Sequence, residues 1–215
     1  MGDTHAQRPM IVGVGASAGG LEALEGLFSS MSAETGLAFV VVQHLSPDFE
    51  SMMDELLARR TSLPVTRVRD GMPVKADTVH LIPPRHDMII SDGRLLLSDK
   101  GDDRELSLPI DIFFRSLARE EGERAVGVIL SGTGTDGSRG VRDISEAGGL
   151  VLAQSLDEAG FDGMPKAARD TGCVDLLLPV AEIPAALGRY QRRLEEGAPT
   201  DDQAANPLTD ILATL

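Results

Sequence analysis

The sequence predicts an α/β fold: a three-layer domain on a mostly parallel, doubly wound sheet, with an antiparallel hairpin at one side. Leu37 to Val42 and Ala125 to Leu130 are continuous apolar runs of strand length, the kind buried on both faces of a parallel sheet. Between such runs, apolar residues recur at helical spacing, so strand and helix alternate along the chain. Two further short runs flank Asp92-Gly93, a dipeptide that tolerates the positive φ of a tight hairpin turn.

Taken in order, Met10 to Gly15 is a strand entering a Gly-rich turn, and Leu21, Leu24, Leu27 and Phe28 mark the helix after it. Leu37 to Val42 is the second strand. After Ser46-Pro47, with Pro47 suited to a first helical position, a helix carries Phe49, Met52, Met53, Leu56 and Leu57. Val65 to Val68 and Thr78 to Ile82 are short strands, with His80 read as packed inside the latter, and Met88 to Leu97 is the hairpin. Pro109 opens a helix with Ile110, Phe113, Phe114 and Leu117 on one side. The strand Ala125 to Leu130 runs into the segment SGTGTDG and a helix with Val141 and Ile144. Leu150 to Ala153 and Val174 to Leu178 are strands joined through MPKAARDTG, and Ile183, Leu187, Tyr190 and Leu194 mark a closing helix. The expected organisation is therefore a disordered leader at 1–9, one domain at 10–194, and at 195–215 a polar linker with the start of a downstream helix.

Composition narrows the function. Lys and Arg total 20 against 34 Asp and Glu, a formal charge of −14, which argues against a nucleic-acid or anionic-membrane footprint. The lone cysteine, Cys173, closes no intramolecular disulfide, reads as a small buried hydrophobe, and fits a reducing, cytoplasmic setting. The apolar runs fall far short of a membrane span, and the leader MGDTHAQRP has neither the basic nor the apolar region of a signal peptide. No grouping of His, Cys and carboxylates has zinc spacing, and neither a metal nor a cofactor is expected.

The chemistry concentrates at strand ends. Gly15, Ser17 and Gly19 form G-x-S-x-G where the first strand enters a helix, a turn that lifts a serine hydroxyl above the strand and leaves free backbone N–H groups beside it. His44 closes the second strand in VVQH, and Asp136 comes after a third strand in SGTGTDG. Each has a plainer reading, respectively a packing turn with an N-cap serine, a satisfied histidine and a helix N-cap. Their convergence on strand carboxyl ends changes the balance, because one crevice then holds all three. A serine hydroxyl needs an imidazole to take its proton, and the imidazole needs a carboxylate to fix its tautomer. The order Ser, His, Asp is not that of ordinary α/β-hydrolases.

The motifs GASAGG with Ser17, VVQHLSP with His44, IPPRHDM, LSGTGTDG with Asp136, and Gly163-Met164-Pro165 continuing into Lys166-Ala167-Ala168 together resemble, in order, the CheB family of chemotaxis protein-glutamate methylesterases. The resemblance spans residues 10–188. It implies a serine hydrolase that removes methyl esters from glutamates on receptor helices and deamidates certain glutamines, with Ser17 as nucleophile, His44 as general base and Asp136 as orienting carboxylate. Ala18, Thr133, His86 and Met164 are the oxyanion and cleft candidates. Family members often read LTGMG before the aspartate, whereas Ser131 and Thr133 stand here in place of that threonine and methionine. The expected partners are methylated chemoreceptor or other signalling-protein helices, and a fused or separate CheR-like methyltransferase, since NPLTDILATL resembles the start of such a domain. Nine residues precede Met10, too few for the phospho-receiver that chemotaxis methylesterases usually carry, so a domain without that cover is expected. Arg59, Arg60, Arg85, Arg139 and Arg142 are candidates to meet an acidic receptor helix, which a chain of −14 otherwise repels.

Two rivals belong to other classes. A dinucleotide-binding domain would use Gly13-x-Gly15 as a phosphate turn, but its third glycine falls at Ala18 and Gln43-His44 stands where an acidic ribose ligand belongs. A catalytically silent interaction domain of a signalling protein would not need Ser17, His44 and Asp136 intact.

Overall fold

The structure, a computed structural model, describes residues 8–43, 53–99 and 108–197. The chain begins with β1 (Met10–Ala16), α1 (Gly20–Ser29), β2 (Leu37–Gln43), α2 (Met53–Ala58) and β3 (Val65–Arg67). Next come β4 (Met72–Pro73), β5 (Thr78–Leu81), β6 (His86–Ser91), β7 (Arg94–Asp99) and α3 (Pro109–Glu121). It continues with β8 (Val126–Ile129), α4 (Ser138–Glu146), β9 (Leu150–Gln154), α5 (Gly163–Arg169), β10 (Leu176–Leu178) and α6 (Ile183–Glu196).

Seven parallel strands form the main sheet in the order β10-β9-β8-β1-β2-β5-β3. From β1 the chain builds outward on one side through β2, and after α3 it returns to lay β8, β9 and β10 on the other. The strand order therefore reverses between β1 and β8, and the crevice beyond their carboxyl ends is where such sheets bind ligands. The register sets Gly15 beside Ile129 and Ala16 beside Gln43, so the segments leaving β1, β2 and β8 emerge at one edge.

Both faces of the sheet are covered, which is why its strands read as uninterrupted apolar runs. On one face Val12, Val14, Phe39 and Val128 pack with Leu24, Leu27 and Phe28 of α1 and Ile183, Leu187 and Tyr190 of α6. On the other, Ile11, Val40, Ile129 and Val151 pack with α3, α4 and the β6–β7 hairpin through Ile110, Phe113, Phe114, Ile144 and Ile90. Gly15 lets α3 lie directly on β1: a Cβ there would stand 2.7 Å from Cγ2 of Ile110. Gly15→Ala is expected to displace the start of α3 and cost about 1–3 kcal/mol, read as a lower urea midpoint. That glycine of the G-x-S-x-G motif is a packing position.

The hairpin turns through Asp92 at φ 52° and Gly93 at φ 70°, with Ser91 facing Arg94. It extends to His86 and Asp99 and belongs to a second, antiparallel sheet in the order β4-β7-β6. Strand β4 is not legible in the sequence because two residues ending in proline carry no periodicity; Val74 N–H donates to Gly93 O just beyond it. The predicted helix start at Pro47, the leader through Gln7 and the segment after Gly197 lie outside the described residues. Cys173 is only half-buried, because its turn after α5 runs along the surface; it is not the enclosed hydrophobe expected from composition. Among the described residues, no helix is long and apolar enough to cross a membrane.

His80 is buried in β5, with Nδ1 donating to Phe39 O at 3.1 Å and Nε2 accepting Lys75 N–H at 3.4 Å. Burial holds its pKa below the usual histidine value. The unfolded chain binds this proton near pH ~6.5 and the folded chain resists it, so His80's contribution is complete above that pH and is lost on acidification. The urea midpoint should fall between pH 7.5 and 5.5, and less so in His80→Asn.

Candidate active site

Ser17 is the first residue after β1. Its N–H donates to Ser131 O at 3.0 Å and its own carbonyl accepts Gly20 N–H at 2.8 Å, which pins the turn from strand to α1 by backbone alone. The residue is left half-buried at the sheet edge.

The segment after β8 is the hub of the site. Ser131 N–H donates to Gln154 Oε1 at 2.8 Å, and the Ser131 hydroxyl donates to Ala18 O at 2.9 Å while accepting Phe161 N–H at 2.9 Å. Gly132 N–H donates to Phe161 O at 2.9 Å, and Met164 N–H donates to Gly132 O at 2.8 Å. Three loops are thus tied at one point. Ser131 supplies the hydroxyl this junction uses. Gly132 lies close against Ser17 and Met164: a Cβ there would collide with Met164 Sδ and stand 2.9 Å from Ser17 Cβ. Gly132→Ala is expected to push the serine aside, lowering kcat at least ~10-fold, since small misplacements of a reacting group are that costly. Steady-state kinetics beside a thermal melt would show it.

Asp136 is buried, 4% exposed, at the start of α4. Its Oδ2 accepts Ile110 N–H at 3.0 Å, and its Oδ1 accepts Asp111 N–H at 3.0 Å and Gly137 N–H at 2.8 Å. The carboxylate therefore sits on the otherwise unsatisfied amides at the positive end of α3. Asp111 returns the arrangement: its Oδ1 accepts Arg139 N–H at 2.9 Å and Gly140 N–H at 2.8 Å at the start of α4. Two helices thus exchange carboxylates across their N-termini. Asp111 is 3% exposed, its Oδ2 has no partner among the described residues, and burial, with the nearby Asp136 charge as a smaller cause, pushes its pKa up. Asp111→Ala leaves the two α4 amides without this acceptor, an expected cost of about 1–3 kcal/mol in urea unfolding. Asp111 is inconspicuous in the sequence because an acid in the first turn of a helix is ordinary there.

Of the remaining candidates, the amides of Ala18 and Thr133 have no hydrogen-bond partner among the described residues, and these residues directly follow Ser17 and Gly132, which lie against each other. Met164 is 1% exposed and lies against Gly132. His86 opens β6, with Nδ1 donating to Pro84 O at 2.6 Å and Nε2 lying 3.2 Å from Asp99 Oδ1. Its described contacts place it on the hairpin, and none joins it to Ser17 or Asp136. His44 lies outside the described residues; Gln43 before it pairs with Ala16, which directly precedes Ser17. Arg59 and Arg60 come after α2 over one face of the sheet while Arg139 and Arg142 lie on α4 over the other, so they do not gather into one basic patch.

The sequence model of the CheB methylesterase family matches residues 12–187. The chain belongs to the CheB methylesterase family. A protein-glutamate methylesterase/protein-glutamine glutaminase 2 of Anaeromyxobacter dehalogenans is 36% identical over 188 residues, covering 87% of this chain and 55% of that protein. A protein of the same activity name from Myxococcus xanthus, numbered 1, is 34% identical over 197 residues, with 86% and 55% covered. An uncharacterized 104.1 kDa protein in the hypE 3' region of Rhodobacter capsulatus is 49% identical over 138 residues, 64% of this chain and 14% of that protein. The crystal structure of the Thermotoga maritima CheB methylesterase catalytic domain matches with a TM-score of 0.77 and 29% identity, covering 84% of this chain and 98% of that one. This chain thus spans about half the length of the methylesterases and nearly all of the catalytic domain.

Proposed function

We propose that this CheB-family chain is a protein-glutamate methylesterase that cleaves glutamate γ-methyl esters on chemoreceptor-type helices and also deamidates glutamines. The observation that carries the reading is the turn junction at the β1–β8 switch point, which holds a half-buried Ser17 against Gly132, each followed in sequence by a residue whose amide is unengaged among the described residues. The relatives' names give the substrate class.

In the proposed reaction Ser17 Oγ attacks the ester carbonyl carbon as His44 takes the hydroxyl proton. Asp136 holds the imidazole in the required tautomer and stabilises the imidazolium. The oxyanion receives hydrogen bonds from the amides of Ala18 and Thr133. When the tetrahedral intermediate collapses, the C–O bond breaks and His44 returns the proton to the leaving methoxide, which departs as methanol. A γ-glutamyl ester on Ser17 remains. Water, deprotonated by His44, attacks that ester, and glutamate leaves as Ser17 regains its proton. A glutamine takes the same path with ammonia as the leaving group.

The proposed setting is the cytoplasm, with a CheR-like methyltransferase, fused or separate, supplying the esters. The small share of the 104.1 kDa relative that is matched, 14%, is compatible with a larger multidomain protein. Methanol release from a methylated chemoreceptor fragment tests the activity. The wild-type chain is expected to release it with a rate that climbs with pH through the histidine range, near ~6.5, because the base must be neutral. Absence of release, or a rate flat across that range with chemistry limiting, would overturn the assignment.

A further inference from the structure

Phe161, between β9 and α5, has 49% of its surface exposed, more than the other exposed large apolar side chains described, Ile89 and Leu177. An exposed phenylalanine is ordinary on a mobile loop, but this one is held at both backbone groups: its N–H donates to Ser131 Oγ at 2.9 Å and its carbonyl accepts Gly132 N–H at 2.9 Å. Those are the residues that brace Ser17. The ring also lies against the turn of the nucleophile, since a Cβ on Gly19 would stand 3.0 Å from Phe161 Cδ2. An aromatic surface that is half open and held at its backbone therefore stands over the turn, two residues on from Ser17.

A fixed aromatic with a free face makes a good anchor, because little ordering is needed on binding and the buried area is large. What must lie there is the polypeptide that presents the ester. Residues three or four positions along a substrate helix lie about 5–6 Å from the esterified glutamate, and the ring stands over Gly19, two residues on from Ser17. Charge offers a poor alternative source of affinity: the chain carries −14, and its candidate arginines are divided between opposite faces of the sheet.

We propose that Phe161 is a specificity-determining residue, packing against an apolar side chain one helical turn from the esterified glutamate of the substrate helix. The proposal rests on the methylesterase reading and deepens it. It is tested on the full chain with two synthetic helical peptides, each bearing one glutamate γ-methyl ester and differing only in leucine or serine three and four residues to either side. Wild type is expected to prefer the leucine peptide by about tenfold in kcat/KM, mostly through KM. Phe161→Ala should reduce that preference below about threefold, and Phe161→Leu should restore most of it. Restoration by leucine separates side-chain contact from a folding defect, which a thermal melt checks independently. Undiminished preference in Phe161→Ala, or no preference in wild type despite turnover of both peptides, overturns the proposal alone. Turnover of p-nitrophenyl acetate with release of methanol from neither peptide overturns the substrate reading, and the proposal with it.

Discussion

Ser17→Ala is expected to lower kcat for methyl ester hydrolysis about 10⁴-fold while leaving the melting temperature close to that of wild type. The two readouts separate because the bonds that hold the turn use the Ser17 N–H and carbonyl, not its hydroxyl. Removing Oγ leaves the backbone path from β1 to α1 as it was and deletes the proposed nucleophile. His44→Ala should give a loss of similar size, since the hydroxyl is a poor nucleophile without a neutral imidazole to accept its proton. A stopped assay of methanol release combined with differential scanning calorimetry measures both quantities. Loss of activity and of the folded state together would place Ser17 in the packing turn of its plainer reading.

Asp136→Ala is expected to move both quantities at once. Its carboxylate accepts N–H groups from Ile110, Asp111 and Gly137 in a site that is 4% exposed, so truncation removes the acceptor of three backbone donors. Even discounted for water entering the space, that amounts to about 3 kcal/mol or more of stability. Activity is expected to fall as well, because the proposed reaction has Asp136 hold the imidazole in its tautomer. Asp136→Asn separates the roles: it keeps the volume and one acceptor oxygen, so it should melt above Asp136→Ala, yet remain about 10⁴-fold impaired in kcat. An asparagine variant with near wild-type kcat would reduce Asp136 to a helix cap.

The sequence disclosed those features that depend on periodicity and local turn chemistry. Strands buried on both faces announced themselves as continuous apolar runs, and Asp92-Gly93 identified the hairpin because few other dipeptides accept φ near 52° and 70° in succession. Ser17 and Asp136 were legible because each comes after an apolar strand, and parallel strands bring their carboxyl ends to one edge. Relations between distant segments were not legible. Asp111 serves α4 across 28 residues and more of sequence, and Ser131 joins Ala18 to Phe161 over separations of 113 and 30. Nothing in a local window marks such a residue as different from a helix-start acid or a loop serine. Phe161 is hidden for the opposite reason: a single aromatic in a polar loop has no period, and its significance appears only when Gly19 is found beneath the ring.

Covalent labelling tests most directly whether Ser17 is an activated nucleophile. The full chain treated with a serine-directed phosphonate, digested and analysed by mass spectrometry is expected to carry one adduct, on Ser17, formed far more slowly in His44→Ala. An adduct on Ser131 or another serine, or labelling of Ser17 at the same rate without His44, would contradict that role.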